Sequence, residues 1–502
     1  MLYHLKRKFM KHSRSTEAAD ITTSPLSDEL THNIEMIEEL YSASINKDFV
    51  VRDIHIKGMD SRAALFFYAT AVDLDKVEQS IISPLLTENG KDIRDIVSVE
   101  HISDVNDLLD VSEYIHQGYV IFLKEGSSNG LAFNVASYEH RGIEKAENEV
   151  LVKGPKEAFT ESASVNLSLL RKRISNPHFI AEGMGVGVRS KSEATILYMN
   201  DLVDENVLNE VRKRIERIEV DSVRSIEMLE QFIEERTYSL IPSVLYTERP
   251  DRTAAYIDDG YIAIIMENSP AALILPVTFW SFFHSPEDHY SRLLYGNFSR
   301  LIRLLAVFIT LFISSFYIAV TNFHEEMIPI DLLLAIAGAR EQLPFPLVFE
   351  IVMMEFAFEL IREAGLRIPS PLGPTIGIVG ALILGQAAVE ANVISPIVVI
   401  VVALSGLSSF AIADVSLNYT IRMIRFVFIF AAATYGIFGI IGAFILCLMY
   451  AAAARSFGVP FLSPLSPHFR SSNDTVFRGP VTKEIFRPGQ IHPRDMKKNS
   501  MR

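Results

Sequence analysis

Between Ile368 and Ala413 the chain runs for 46 residues with a single charged side chain, Glu390. A helix needs about 20 predominantly apolar residues to cross a bilayer, so the run holds two spans with the carboxylate near their junction. The solvent of this part of the chain is therefore lipid. A carboxylate at membrane depth costs roughly several kcal/mol unless it faces water, protein or a partner. Glu390 is thus a candidate for an ion pathway, and its plainer reading is a hydrated residue in the turn between spans.

The hydrophobic fraction of 49% averages two unlike halves. Residues 1–295 are mixed and charged, residues 300–455 are overwhelmingly apolar, and the end is polar. The net charge of −14 sits upstream, because the tail from Arg455 to Arg502 holds nine Lys/Arg against three Asp/Glu. No basic stripe interleaved with aromatics appears, which argues against a nucleic-acid partner. Cys447 is the only cysteine, so no intrachain disulfide or cysteine-based metal cluster can form. Residues 1–20 are basic and polar without an apolar core, so no signal peptide is expected and the first half should stay in the cytoplasm.

The predicted fold class is an α/β cytoplasmic N-terminal region of two α/β subdomains, followed by an α-helical multi-pass membrane domain. The parts are a flexible basic arm (1–30), the subdomains (31–150 and 151–295), the membrane domain (296–455) and a polar basic tail (456–502). In the first subdomain, apolar alternation and β-branched content predict strands at 49–56, 64–70, 96–102 and 119–124. Helices are expected at 75–85 and 105–116, and the unit should close around 137–141. The second subdomain should hold helices at 162–174, 203–217 and 225–232. Its strands should fall at 179–184, 193–199, 256–265 and 272–275, with Asp258-Asp259-Gly260 as a hairpin turn. The glycine-rich run 183–187 lacks the spacing and lysine of a phosphate loop and reads as strand and turn. Residues 248–252 read as an exposed, salt-bridged loop. No nucleophile–base set or metal spacing appears, so neither an enzyme, a cofactor nor a metal is expected.

In the second half, Trp280, Phe282 and Phe283 suit an interfacial belt, and Arg292, Arg300 and Arg303 flank the cytoplasmic entry of a span at 304–323. Residues 328–364 read as a re-entrant or interfacial pair of helices. There Glu355, Glu359 and Glu363, spaced by four, share one face with Arg362 close by. Spans follow at 372–389 and 393–411. Gly377, Ala381 and Gly385 recur every four residues and leave a flat face, for close packing or for an apolar pore wall. Residues 414–423 read as a polar connection and 426–450 as a last span. The uncharged run there extends to Ala454, longer than a bilayer requires, so tilt is expected. Four spans return the basic tail to the cytoplasm; a fifth, at 345–364, would place it outside.

Five strings are specific: TFWSFFHSPEDHYSR (278–292), TNFHEEMIP (321–329), LPFPLVFEIVMMEFAFELIREAGLRIPSPLG (343–373), IVGALILGQAAVEANVISP (378–396) and RSFGVPFLSPLSP (455–467). In sequence and order they resemble the A subunit of the GerA family of spore germination receptors, over roughly residues 160–490. The resemblance implies a multi-pass protein of the bacterial endospore inner membrane with its N-terminal region facing the spore core. It implies a transporter-like B subunit that senses nutrient and a lipoprotein C subunit as partners. It further implies a homo-oligomeric ring that releases monovalent cations when germinant is sensed. On that reading Gly377, Ala381, Gly385 and Glu390 line the pore, and Glu355, Glu359 and Glu363 form a second acidic face. A non-conducting scaffold that relays the signal to other membrane proteins is the competing expectation.

Overall fold

The computed structural model describes residues 24–88, 92–137, 146, 149, 151–366, 373–469, 471–472 and 474–498. The predicted close of the first subdomain, at 137–141, lies mostly outside the described residues.

The first subdomain opens with α1 (Leu30–Leu40), followed by β1 (Phe49–Ile56) and β2 (Ser61–Tyr68). A helical stretch then runs through Leu74–Lys76, a π-helical Val77–Ile82 and Ser83–Thr87. β3 (Ile102–Val105), α2 (Leu108–His116), β4 (Tyr119–Lys124) and β5 (Gly130–Asn134) complete it. The second subdomain holds α3 (Ala163–Arg173), β6 (Phe179–Val186), β7 (Ser192–Met199), α4 (Glu205–Glu216), α5 (Ile226–Ile233) and β8 (Leu245–Thr247). α6 (Pro250–Asp258), β9 (Ile262–Met266) and β10 (Ala272–Leu275) close it. The two antiparallel sheets have orders β1-β2-β4-β5-β3 and β6-β7-β9-β10-β8. These are the same order, so the two subdomains are one fold used twice.

A small motif repeats with the fold. On the first turn of α1, Asn33 accepts from Ser27 N (2.9 Å) and donates to Ser27 O (2.7 Å). On the first turn of α3, Asn166 does the same to Thr160, at 2.7 and 2.6 Å. Each amide side chain satisfies both backbone groups of a residue six positions back. Thr160 thereby anchors α3 without being its cap, a position held by Ser162.

Three expectations need correction. The strand predicted at 96–102 is a helical turn, Ile93–Ile96, and the strand begins at Ile102. β5 was not anticipated. Residues 256–258 end α6, which starts with Pro250 at its first turn. Gly260, at φ +97°, follows the Asp259 C-cap. The Asp-Asp-Gly signal thus marks a helix end; a hairpin turn there would leave Ala254 and Ile257, both buried, without a helix to carry them.

Arg171 locks the subdomains together. It lies 3% exposed between the rings of Tyr68 (4.0 Å) and Phe179 (4.5 Å). It donates to both oxygens of Asp48, at 3.1 and 2.8 Å, to Asn46 Oδ1 at 2.9 Å and to Phe179 O at 2.7 Å.

Short helices α7 (Phe279–Phe283) and α8 (Glu287–Tyr290) lead into the helical half. This contains α9 (Leu293–Phe323), α10 (Ile330–Arg340), α11 (Leu347–Leu366), α12 (Gly373–Glu390), α13 (Pro396–Ser409) and α14 (Val415–Ala453). The predicted polar connection at 414–423 is the start of α14, capped by Asp414. Straight, 39 residues would reach about 58 Å. Yet both ends meet the second subdomain: Thr420 donates to Leu240 O and Tyr450 bonds Ser239, at 2.5 and 2.9 Å. The reversal is at Gly436, whose φ of 57° and ψ of −136° are open almost only to glycine. Phe312 packs on Phe428 and on Phe444, equidistant in sequence from Gly436. The surplus length read as tilt is a helical hairpin.

The tail is not a free end. A β-hairpin (Arg455–Ser456 with Val459–Pro460) leads it back, and Phe461 and Ile491 join the core of the second subdomain.

Two outcomes follow. Arg171→Ala leaves Asp48 buried and unpaired, so it should destabilise the soluble region by about 3–5 kcal/mol, read by urea unfolding of the detergent-solubilised chain. Gly436→Ala should cost about 1–3 kcal/mol, seen as a lower melting temperature with the soluble region's protease protection retained.

Candidate functional site

The acidic face of α11 is assembled with basic partners from α14. Glu355, fully buried, accepts from Ser314 of α9 at 2.7 Å and pairs with Arg425 Nη1 at 2.9 Å. Arg425 Nη2 donates to Glu359 at 2.9 Å, and Arg422 Nε donates to the same carboxylate oxygen at 3.0 Å. Arg425 also donates to Ser405 of α13 at 2.9 Å. One polar knot therefore joins four helices. Arg362, close to this face in the sequence reading, turns instead to the end of α13. There it donates to Ser409 Oγ at 2.6 Å and lies over the Phe410 ring. Glu363 is exposed. Arg422 was missed as a partner because residues 414–423 read as a connection, and Arg425 because it fell between that connection and the span at 426–450; a helical reading would have put them on one face at a spacing of three.

A second buried carboxylate was also missed. Glu350 accepts from Ser395 N at 3.0 Å, holding the loop between α12 and α13 against α11 at the end remote from the soluble region.

The small-residue face behaves differently along its length. Gly377 and Ala381 lie outside the residues whose side chains are described. Gly385 is buried: a Cβ there would stand 2.9 Å from Val399 Cγ1 and 3.9 Å from Met354 Cε, so glycine allows α12 to approach α13 and α11. Glu390 ends α12, exposed, and accepts from Gln386 at 3.0 Å. Ile383, Leu384 and Ala387 on the same helix are exposed too.

The junction between halves is built from charges expected at the surface. Arg249, Asp251 and Arg252 are buried, against the expectation of an exposed loop. Arg249 donates to Asp251 (3.0 Å) and Pro155 O (2.7 Å), Tyr290 OH donates to Asp251, and Arg252 holds Glu149 and Ser281 O. Trp280, Phe282 and Phe283 are buried as well, packed under the tail and not displayed as a belt. Arg300 and Arg303, at the start of α9, both bond Asp288, at 3.1 and 2.9 Å. Asp474 of the tail closes on Arg300. Beside it, burial pushes the His284 imidazole down to about 4, and its Nε2 meets Thr475 O at 2.6 Å. Asp474 is half-buried, and His289, His284 and Arg300 hold its carboxyl well below the usual range despite that burial.

Fold and clusters define a two-part class of protein: a duplicated α/β region fixed by buried ion pairs to the end of an apolar helical bundle. The family model described as Bacillus/Clostridium GerA spore germination protein matches residues 35–490, and the chain belongs to that family. Spore germination protein KA of Bacillus subtilis (strain 168) is 36% identical over 484 residues, 94% of this chain and 88% of the relative. Spore germination protein GerLA of Bacillus cereus is 32% identical over 470 residues, 92% of this chain and 95% of the relative. Among solved structures, the N-terminal domain of the A subunit of the Bacillus megaterium spore germinant receptor GerK3 is 26% identical. That match covers 51% of this chain and 98% of the other, with a TM-score of 0.39.

Two outcomes test the clusters. Arg425→Leu strands Glu355 in an apolar surrounding and should cost about 3–5 kcal/mol, while the double variant with Glu355→Leu should recover much of it; thermal melts of the four proteins give the coupling. The tail contact should weaken with acid. His284 is held below its free value, so docking is favoured fully above about pH 6.5 and is lost as pH falls towards 4. The Asp474 shift has the same sign. Limited proteolysis of the tail between pH 7.5 and 4.5 reads this directly.

Proposed function

We propose that the chain is the A-type subunit of a nutrient-responsive spore germination receptor, forming an oligomeric channel that releases monovalent cations when a partner subunit senses germinant. Family membership supports the germination role. The observation that favours conduction is the end of α12, where an exposed, uncharged face of Ile383, Leu384 and Ala387 terminates in the exposed carboxylate of Glu390. In a ring of copies these faces would line a narrow apolar passage that gates by dewetting, with Glu390 as an acidic mouth that concentrates cations. Gly385 then acts as the packing contact behind the wall, and Gly377 and Ala381 remain proposed wall positions. The knot around Glu355 and Glu359 would be internal to each subunit.

The helical half would cross the spore inner membrane as antiparallel segments, with α9 leaving the cytoplasmic side and the second arm of α14 returning to it. An even number of crossings is supported by the tail's return to the second subdomain. It is also supported by charge. Arg292 and Arg455 lie beside the soluble region, against Arg340 near the remote end, where Glu325, Glu326, Asp331 and Glu341 also lie, in the direction of the positive-inside preference. B and C subunits would complete the receptor.

Reconstituted with its partner subunits in potassium-loaded liposomes, the receptor should release potassium on addition of germinant, and Glu390→Gln should lower that flux while assembly is unchanged. No flux from the complete complex, with Glu390→Gln spores germinating normally, would favour the non-conducting scaffold.

A further inference from the structure

A small polar cavity of about 220 Å³ lies where the soluble region meets the first turns of α9. Its walls include Glu287, Ser291, Tyr295, Ser299, Ile302 and Ala411. Asp288 and Arg303 also border it, but they pair with each other, and Asp288 is shared with Arg300. The charge left over is Glu287, half-buried, whose carboxylate has no partner among the described residues. Two serine hydroxyls and a tyrosine ring face the same space. A carboxylate, hydroxyl acceptors and an aromatic face are the chemistry that holds a primary ammonium. An anion is disfavoured, because the one uncompensated charge is negative.

The position of the cavity says what carries the ammonium. Directly beside it the outward face of α9 is apolar from its first turn: Leu294 is 84% exposed, Tyr295 62% and Phe298 58%. That face continues without a break through Leu301, Leu305 and Phe308. The arginines expected to mark the entry, Arg300 and Arg303, point the other way, into protein. The 31-residue helix spans about 46 Å, longer than the roughly 30 Å hydrocarbon layer, so its first turns fall at headgroup depth. Arg292, exposed at the same turn, is placed for a phosphate.

We propose that this cavity is a headgroup site for an aminophospholipid, with the ethanolamine ammonium at Glu287, the phosphate at Arg292, and the acyl chains along Leu294, Phe298 and Leu305. The site rests on the reading that the helical half lies in a membrane. It deepens that reading by giving the junction a lipid preference. A choline headgroup cannot donate a hydrogen bond to Glu287, and a glycerol headgroup brings no positive charge.

The test uses the full chain, purified in detergent and exchanged into nanodiscs of equimolar phosphatidylethanolamine, phosphatidylcholine and phosphatidylglycerol. Lipid retained on the protein is counted by native mass spectrometry. The wild type should retain ethanolamine lipid over choline lipid by about five-fold, the scale of one partly exposed ion pair. Glu287→Gln should abolish that preference without changing the melting temperature; should it not fold, Ser299→Val is the second variant, expected to reduce the preference. Equal retention of the two lipids by the wild type, or a preference that survives Glu287→Gln, overturns the proposal. So does displacement of bound lipid by free ethanolamine at equal concentration, which would make the site one for a soluble amine, and so does a cavity found closed by a second copy in cross-linking. Flotation with pure phosphatidylcholine vesicles keeps the two ideas apart. A chain that does not float removes the membrane reading itself, and one that floats without headgroup preference removes only this site.

Discussion

A buried guanidinium needs a carboxylate, and this chain meets that requirement by joining segments far apart in sequence. Arg171 of the second subdomain takes Asp48 of the first. Arg300 and Arg303 at the start of α9 take Asp288 beside them and, in the case of Arg300, Asp474 from the tail. Arg425 of α14 takes Glu355 and Glu359 of α11. Transfer of either ion alone out of water costs several kcal/mol, so each pair is a constraint on which segments can be neighbours. Apolar packing gives the parts their stability. The pairs select an arrangement in which these guanidinium groups meet carboxylates from distant segments.

The reversal at Gly436 belongs to the same logic. Without it, α14 would carry the chain end away from the soluble region, and Asp474 could not reach Arg300. The hairpin depends on a backbone conformation that only glycine adopts readily, set against Phe323 at the remote end of α9. Sequence, backbone and tertiary contact agree at this one residue. The tail's position follows from it.

What the sequence disclosed depends on how local the cause was. Strands such as β1 and β4 follow from alternation over their own residues, and both match residue for residue. The apolar runs disclosed the helical half for the same reason. The misses share a feature: their meaning is set by a partner elsewhere. Residues 248–252 look like a surface loop until Glu149, Pro155, Tyr290 and Ser281 are brought against them. Trp280, Phe282 and Phe283 look like a membrane belt until the tail covers them. Residues 414–423 look like a linker because arginines normally end a span, and only Glu355 and Glu359 make them tolerable inside a bundle. The duplication was invisible to composition, since it shows only when the copies are laid side by side: Ser61–Tyr68 beside Ser192–Met199, with the helix caps Asp73 and Asp204 behind them.

The two copies do different work, and charge supplies the reason. The second subdomain buries one sheet face under α3 and α6, with Ile412, Leu417, Ile421, Ala454, Phe461 and Ile491 brought to it by the helical half and the tail. The helices in the corresponding place on the first subdomain, α1 and α2, present Glu35, Glu38, Glu39, Asp110 and Glu113, which no apolar segment can cover without desolvating them. Only the second copy can therefore dock on the bundle. The first meets the second at the Arg171 clamp and at the adjoining Asn46 and Lys47, where Asn46 bridges Glu182 and Lys47 pairs with Glu193. Any displacement of the first subdomain is then passed on at that clamp to α3, which packs in the same core as Leu417 and Ala454 of α14. A duplicated fold with one apolar and one acidic outer face is in this way an arm and a base, and the base is bolted to the helix whose arginines hold the bundle together.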